Sequence, residues 1–166
     1  MLTHLFLMRH AKSSWDTPDL VDHQRPLNKR GRRAADLIGQ TLHARGYAPQ
    51  IIWSSDSTRT RQTAQRLVRA IPGPQSAFYT EALYHASAQN ILRFMDKQGE
   101  PDCQRLMVLA HNPGMEELLE FISGQRRDVP TAATAVFKRI EGGAWLERES
   151  WQMIDYVLPR ELDAQS

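Results

Sequence analysis

Short apolar runs alternating with amphipathic stretches constrain this 166-residue chain more than any other feature. Residues 4–9 (HLFLMR) read as a buried strand, an apolar run too short for a helix. Residues 50–55 (QIIWSS) read as a second strand and 77–84 (AFYTEALY) as a short strand or extended segment. Residues 105–111 (RLMVLAH) are apolar almost throughout, as in a strand covered on both faces. Helices fill the intervals. Asn28 suits an N-cap, Ala34, Leu37, Ile38, Thr41 and Leu42 follow at helical spacing, and Gly46 suits the left-handed position beyond the end. Residues 58–71 place Ala64, Leu67, Val68 and Ile71 on one stripe, and Pro72-Gly73-Pro74 stops it. A helix near 87–98 carries Ile91, Leu92 and Met95; another, after Pro113, turns Met115, Leu118, Leu119 and Ile122 inward and closes at Gly124. The tail alternates instead, with 134–140 and 150–158 expected as an antiparallel edge pair around Gly142-Gly143. The β-α-β-α order predicts an α/β fold, a mostly parallel sheet with helices on both faces. Without repeats or linkers, residues 1–166 are expected to form one domain.

Composition excludes several function classes. Twenty-one basic and 19 acidic residues leave a formal charge of +2, too balanced to argue for nucleic-acid or membrane binding. The Lys29-Arg30, Arg32-Arg33 and Arg126-Arg127 pairs read as solvated helix ends or loops. Cys103 is the only cysteine, which rules out an internal disulfide. The apolar start is far shorter than the roughly 20 residues of a membrane span and lacks the marks of a secretion signal, so a cytoplasmic location is expected.

In parallel sheets the ligand crevice lies beyond the carboxyl ends of the strands. Arg9-His10 stands at such an end, residues 54–59 lie just past the second strand, and His111-Asn112 ends the 105–111 strand. Two arginines and two histidines thus converge on one sheet edge. Arginine matches phosphate oxygens bidentately and stays charged, so Arg9 and Arg59 suit a phosphoryl group and its developing charge. Neutral imidazole is a competent nucleophile. The cation of Arg9 is expected to push the pKa of His10 down and keep it unprotonated. His111 is expected to donate a hydrogen bond to the phosphoryl oxygens. The histidines are scattered and no paired carboxylates accompany them, so no metal site and no cofactor are predicted. The chemistry inferred is metal-free phosphoryl transfer through phosphohistidine.

Arg9-His10-Ala11, in the frame LMRHAKSSWD, resembles the RHG signature of the histidine phosphatase (phosphoglycerate-mutase-like) superfamily, with Ala11 in place of glycine. PLNKRGRRAA resembles the family's P-L-[ST]-x-x-G-x-x-Q-A, departing at Asn28 and at Ala34-Ala35. SSDSTRTRQTA resembles S-x-x-x-R-x-x-Q-T-A, and VLAHNPG resembles V-x-H-N-P. The short length, the HNP form and the PTAATAVF tail are most similar to the SixA-type phosphohistidine phosphatase branch. The resemblance implies a three-layer α/β/α sandwich without a large cap insertion. It implies that His10 becomes phosphorylated while Arg9, Arg59 and His111 surround the phosphate. It also places Ser13 at the border of that pocket. Larger members protonate the leaving group with a carboxylate, and Glu81 is the positional candidate here. The implied substrate is a phosphohistidine-bearing protein or a small phosphorylated molecule.

Some residues take blander readings. His4, His23, His43 and His85 are expected at the surface or in structural hydrogen bonds, with His85 near enough to Glu81 to rim the pocket. Trp15, Trp53, Trp145 and Trp151 read as packing residues, and Arg61 and Arg66 as a solvated helix face. Arg25 and Lys12 add cations in the loop after the first strand. Specificity is expected in the loops 12–26 and 77–90. Three readings follow: a phosphohistidine phosphatase, a small-molecule phosphomonoesterase of the same superfamily, and a catalytically weak phosphoprotein-binding module.

Overall fold

A computed structural model describes residues 1–163. Its six strands are β1 (His4–Arg9), β2 (Ile51–Ser55), β3 (Ser76–Thr80), β4 (Arg105–Ala110), β5 (Thr134–Arg139) and β6 (Trp151–Val157). The helices are α1 (Lys29–Ala44), α2 (Thr58–Ala70), α3 (Ala88–Gln98), α4 (Gly114–Ser123) and the short α5 (Pro159–Asp163). One sheet runs in the order β3-β2-β4-β1-β5-β6. The first four strands are mutually parallel, and β5 and β6 are antiparallel additions at one edge.

Strand periodicity builds the layers. Side chains alternate faces along a strand, so Phe6 and Met8 of β1 pack with Ile38 and Leu42 of α1 and Leu67 of α2. Leu5 and Leu7 point the other way, into a second core with Ile91 and Met95 of α3 and Leu118 and Leu119 of α4. The central strands are therefore apolar on both faces and the α/β/α sandwich follows. The helix signals also hold: Asn28 Oδ1 accepts from the Gly31 amide at 2.8 Å, and Gly46 and Gly124 stand at positive φ.

The differences lie at the margins. The segment expected to be extended over 77–84 ends as a strand at Thr80 and becomes a 3-10 turn over Glu81–Leu83. Residues 140–150 join β5 to β6, a longer connection than a tight Gly142-Gly143 turn. Neither α5 nor the 3-10 turn at Asp22–Gln24 carries a periodic apolar signal, and both escape sequence reading.

Register positions the site. Arg9 pairs with Ala110 in the parallel β1–β4 ladder, so the next residues, His10 and His111, leave the sheet side by side. After β1 the chain turns to the α1 face, and after β4 to the α4 face. A crevice opens where successive connections diverge in this way.

Candidate active site

The backbone at the end of β1 is clamped from both sides. The His10 amide donates to Ala110 O at 3.1 Å, the Arg9 amide donates to Ala133 O at 3.2 Å, and the Ala132 amide donates to His10 O at 2.9 Å. The Pro130–Ala133 part of the tail motif thus serves to hold the histidine's own backbone. His10 is 6% exposed, and its ring Nδ1 lies 2.7 Å from Ala11 O. A carbonyl only accepts, so Nδ1 carries the proton and Nε2 is left with a free lone pair. Burial pushes the pKa of His10 down to about 3; the Ala11 carbonyl opposes this, and Arg59, Arg9 and Arg25 add to it. The sequence pointed to the like charge of Arg9 as the cause, whereas burial is the larger effect.

Arg59, 3% exposed, sits in the first turn of α2, whose N-cap is Ser57. Each letter of the motif around it has a task. Gln62 Oε1 accepts the Leu27 amide at 2.8 Å, and Thr63 Oγ1 joins Arg59 O at 2.7 Å to the Ala11 amide at 3.1 Å. Ala64 is buried against the sheet. The guanidinium donates to Asp22 O at 2.8 Å, to Asp22 Oδ2 at 3.0 Å and to Nδ1 of His111 at 3.3 Å.

That last bond sets the state of His111. With Nδ1 accepting from Arg59, its Nε2–H donates to Ser55 Oγ at 2.8 Å. Burial pushes His111 down to about 2, with His10, Arg59 and His85 adding to the effect. In this arrangement the ring N–H is spent on Ser55, so His111 aims Arg59 rather than holding a free donor for phosphate. The rings of His10 and His111 are 5.1 Å apart.

Arg9 donates through Nη1 to Val129 O at 3.1 Å, while its Nε is buried without a hydrogen-bond partner among the described residues. An unspent guanidinium donor beside His10 suits an anion. Together these groups line a cleft of about 290 Å³ with Lys12, Ser13, Trp15, Asp22, Arg25, His85, Asn112 and Thr131.

Of the residues nominated from sequence, Arg9, His10, Arg59, His111 and Ser13 meet at this cleft. Ser13 Oγ accepts from Arg25 Nη2 at 2.5 Å. Glu81 does not line it; it is exposed on the 3-10 turn after β3. The cleft's carboxylate is Asp22, which had no motif to mark it. Burial alone would raise its pKa, but hydrogen bonds from Tyr84, His85 and Arg59 outweigh this and hold it well below the usual carboxylate range. Trp15 is no packing residue: it is 75% exposed, with the Arg25 guanidinium 3.2 Å above its ring. His85 likewise faces the cleft, whereas His23 is taken up by Asp56 at 2.8 Å.

A buried neutral histidine between guanidinium groups, at a parallel-sheet crevice, defines a phosphoryl-handling protein. Comparison agrees. A model of the histidine phosphatase superfamily (branch 1) matches residues 5–83. The structure is similar to that of a putative phosphohistidine phosphatase SixA from Agrobacterium tumefaciens, with 32% identity, a TM-score of 0.81, and coverage of 96% of this chain and 99% of that one. An uncharacterized chloroplastic protein of Arabidopsis thaliana is 36% identical over 86% of this chain and 69% of its own length. An uncharacterized Mycobacterium tuberculosis protein is 33% identical over 92% of this chain and 100% of its own. The chain belongs to the histidine phosphatase superfamily, and with it to the phosphatases of the hydrolase class.

Proposed function

We propose that the chain is a metal-independent phosphatase that forms a phosphohistidine intermediate on His10, with phosphohistidine in a protein as its substrate class. The observation that carries the reading is the 2.7 Å contact between His10 Nδ1 and the Ala11 carbonyl, which puts the ring proton on Nδ1 and leaves Nε2 bare. Burial keeps that nitrogen unprotonated, and Arg9 and Arg59 supply the positive charge that the transferring phosphoryl group needs. Nε2 attacks phosphorus, the bond to the leaving nitrogen breaks, and water then cleaves the phosphoenzyme to inorganic phosphate.

Two further observations support phosphohistidine over a small ester. The Agrobacterium protein at 32% identity is described as a putative phosphohistidine phosphatase. The cleft mouth carries exposed Lys12 and Trp15, which suit a side chain presented on a protein surface. Residues 1–163 hold no helix long and apolar enough to cross a membrane, and we place the activity in the cytoplasm as one domain.

The test uses a phosphohistidine-bearing protein and p-nitrophenyl phosphate, each with wild type and His10→Ala, with and without chelator. Phosphate release by wild type alone, unchanged by chelator and faster on the phosphoprotein, is expected. Equal release by the two proteins ends the enzymatic reading and leaves the binding module. Preference for the small ester favours the phosphomonoesterase, and loss with chelator ends metal independence.

A further inference from the structure

His85 stands at the cleft with its backbone at φ +49°. A non-glycine residue keeps that left-handed conformation where its surroundings over-determine it. Two contacts do so. The Ala86 carbonyl lies so close to Gly114 that a Cβ there would sit 1.9 Å from the oxygen, which locks this loop onto the start of α4. On the other side, His85 Nε2 lies 2.8 Å from Asp22 Oδ2.

The bond to Asp22 settles the proton. An ionised carboxylate only accepts, so Nε2 carries hydrogen and Nδ1 is the nitrogen that gains or loses a proton. The His85 ring is 4.8 Å from that of His111, which is 5.1 Å from His10, so three imidazoles form a row from rim to nucleophile. The His85 side chain is 49% exposed, open to proton exchange with water. The neighbouring histidine, tyrosine and carboxylate are committed elsewhere. Both His111 nitrogens are engaged, Tyr84 donates its hydroxyl proton to Asp22 at 2.5 Å, and Asp22 is held ionised by its donors. Glu81 lies outside the lining.

Resting on the phosphatase reading above, we propose that His85 is the general acid and base of the reaction, paired with Asp22. As His10 Nε2 bonds to phosphorus and the bond to the leaving oxygen or nitrogen breaks, the Nδ1 proton of the His85 imidazolium passes to the leaving atom. In the second step neutral Nδ1 takes a proton from water. The water oxygen bonds to phosphorus, the phosphorus–His10 bond breaks, and inorganic phosphate leaves with His85 protonated again.

Leaving-group dependence tests this assignment. We would measure kcat/KM on substituted phenyl phosphates of graded leaving-group basicity, and on phosphoimidazole, for wild type, His85→Ala and His85→Gln. Circular dichroism would check that both variants fold. Losing a general acid should hurt little with the least basic leaving group and about 10²-fold with the most basic. Added imidazole should restore part of the His85→Ala rate. An equal fold-loss across the series, or wild-type rates in both variants, overturns the role of His85 alone. A wild-type protein inert on every substrate would instead overturn the phosphatase reading beneath it.

Discussion

Asp22 holds Arg59 twice, taking Nη1 on its backbone carbonyl at 2.8 Å and Nη2 on its carboxylate at 3.0 Å. The same carboxylate places a negative charge among the cations that would receive a phosphate. Asp22→Asn should therefore split two effects. Misaiming Arg59 should lower kcat about tenfold or more, since small misplacements are costly in a positioned site. Removing the anion should tighten inhibition by inorganic phosphate. Steady-state kinetics with phosphate as inhibitor checks both; an unchanged kcat would show that Asp22 orients nothing of consequence.

Acid should destabilise the fold through its two buried imidazoles. The pKa values of His10 and His111 are pushed down to about 3 and about 2, chiefly by burial, against about 6.5 for free imidazole. Below the free value the unfolded chain binds protons that the folded chain refuses. This contribution to stability is complete above about pH 6.5 and drains away as pH falls toward the folded values. The fall in Tm between pH 7.5 and pH 5 should be smaller in His10→Gln and His111→Gln than in wild type. By NMR, neither ring should titrate over that interval in the folded protein, with hydrogen on Nδ1 of His10 and on Nε2 of His111.

The Gly31→Ala substitution should damage stability and site together. A Cβ at Gly31 would stand 2.0 Å from Lys12 O, the same oxygen that accepts the Asn28 amide at 3.0 Å. Backbone must move, at a cost of about 2–3 kcal/mol, lowering Tm by about 5–10 °C. The Lys12–Ser13 segment borders the cleft, so kcat/KM should fall as well. Thermal melts and kinetics on the same preparation decide it; a wild-type Tm refutes the packing argument.

Lys12 is exposed at the mouth and carries no motif-defined task. Lys12→Glu should raise KM severalfold with a smaller effect on kcat, and the difference should shrink as salt screens the charge. A salt-independent effect would point to a change in structure instead.

Much of the fold and the phosphate-facing groups were legible because each left a local mark. The β1 run is apolar on both faces, Asn28 caps its helix, and Arg59 sits in a motif whose Gln62 and Thr63 tie it to the β1 loop. Asp22 left none, and His85 only its nearness to Glu81 in the chain. Asp22 acts on Arg59 across 37 residues and on His85 across 63, separations no periodicity reports. Glu81 drew attention by its place after β3, yet the chain turns there and carries Tyr84 and His85 inward instead. Gly114 was visible as part of HNPG, but its need for bare backbone against Ala86 shows only in three dimensions.

The stacking of Arg25 on Trp15 equips the molecule with its own optical readout. Trp15 is the exposed indole at the cleft, while Trp53 and Trp151 are buried in the core and Trp145 packs, half-buried, against it. An anion that draws the guanidinium off the ring alters emission from the solvent-facing fluorophore and leaves the three in or against the core unmoved. Occupancy and unfolding therefore speak at different wavelengths in one unlabelled chain.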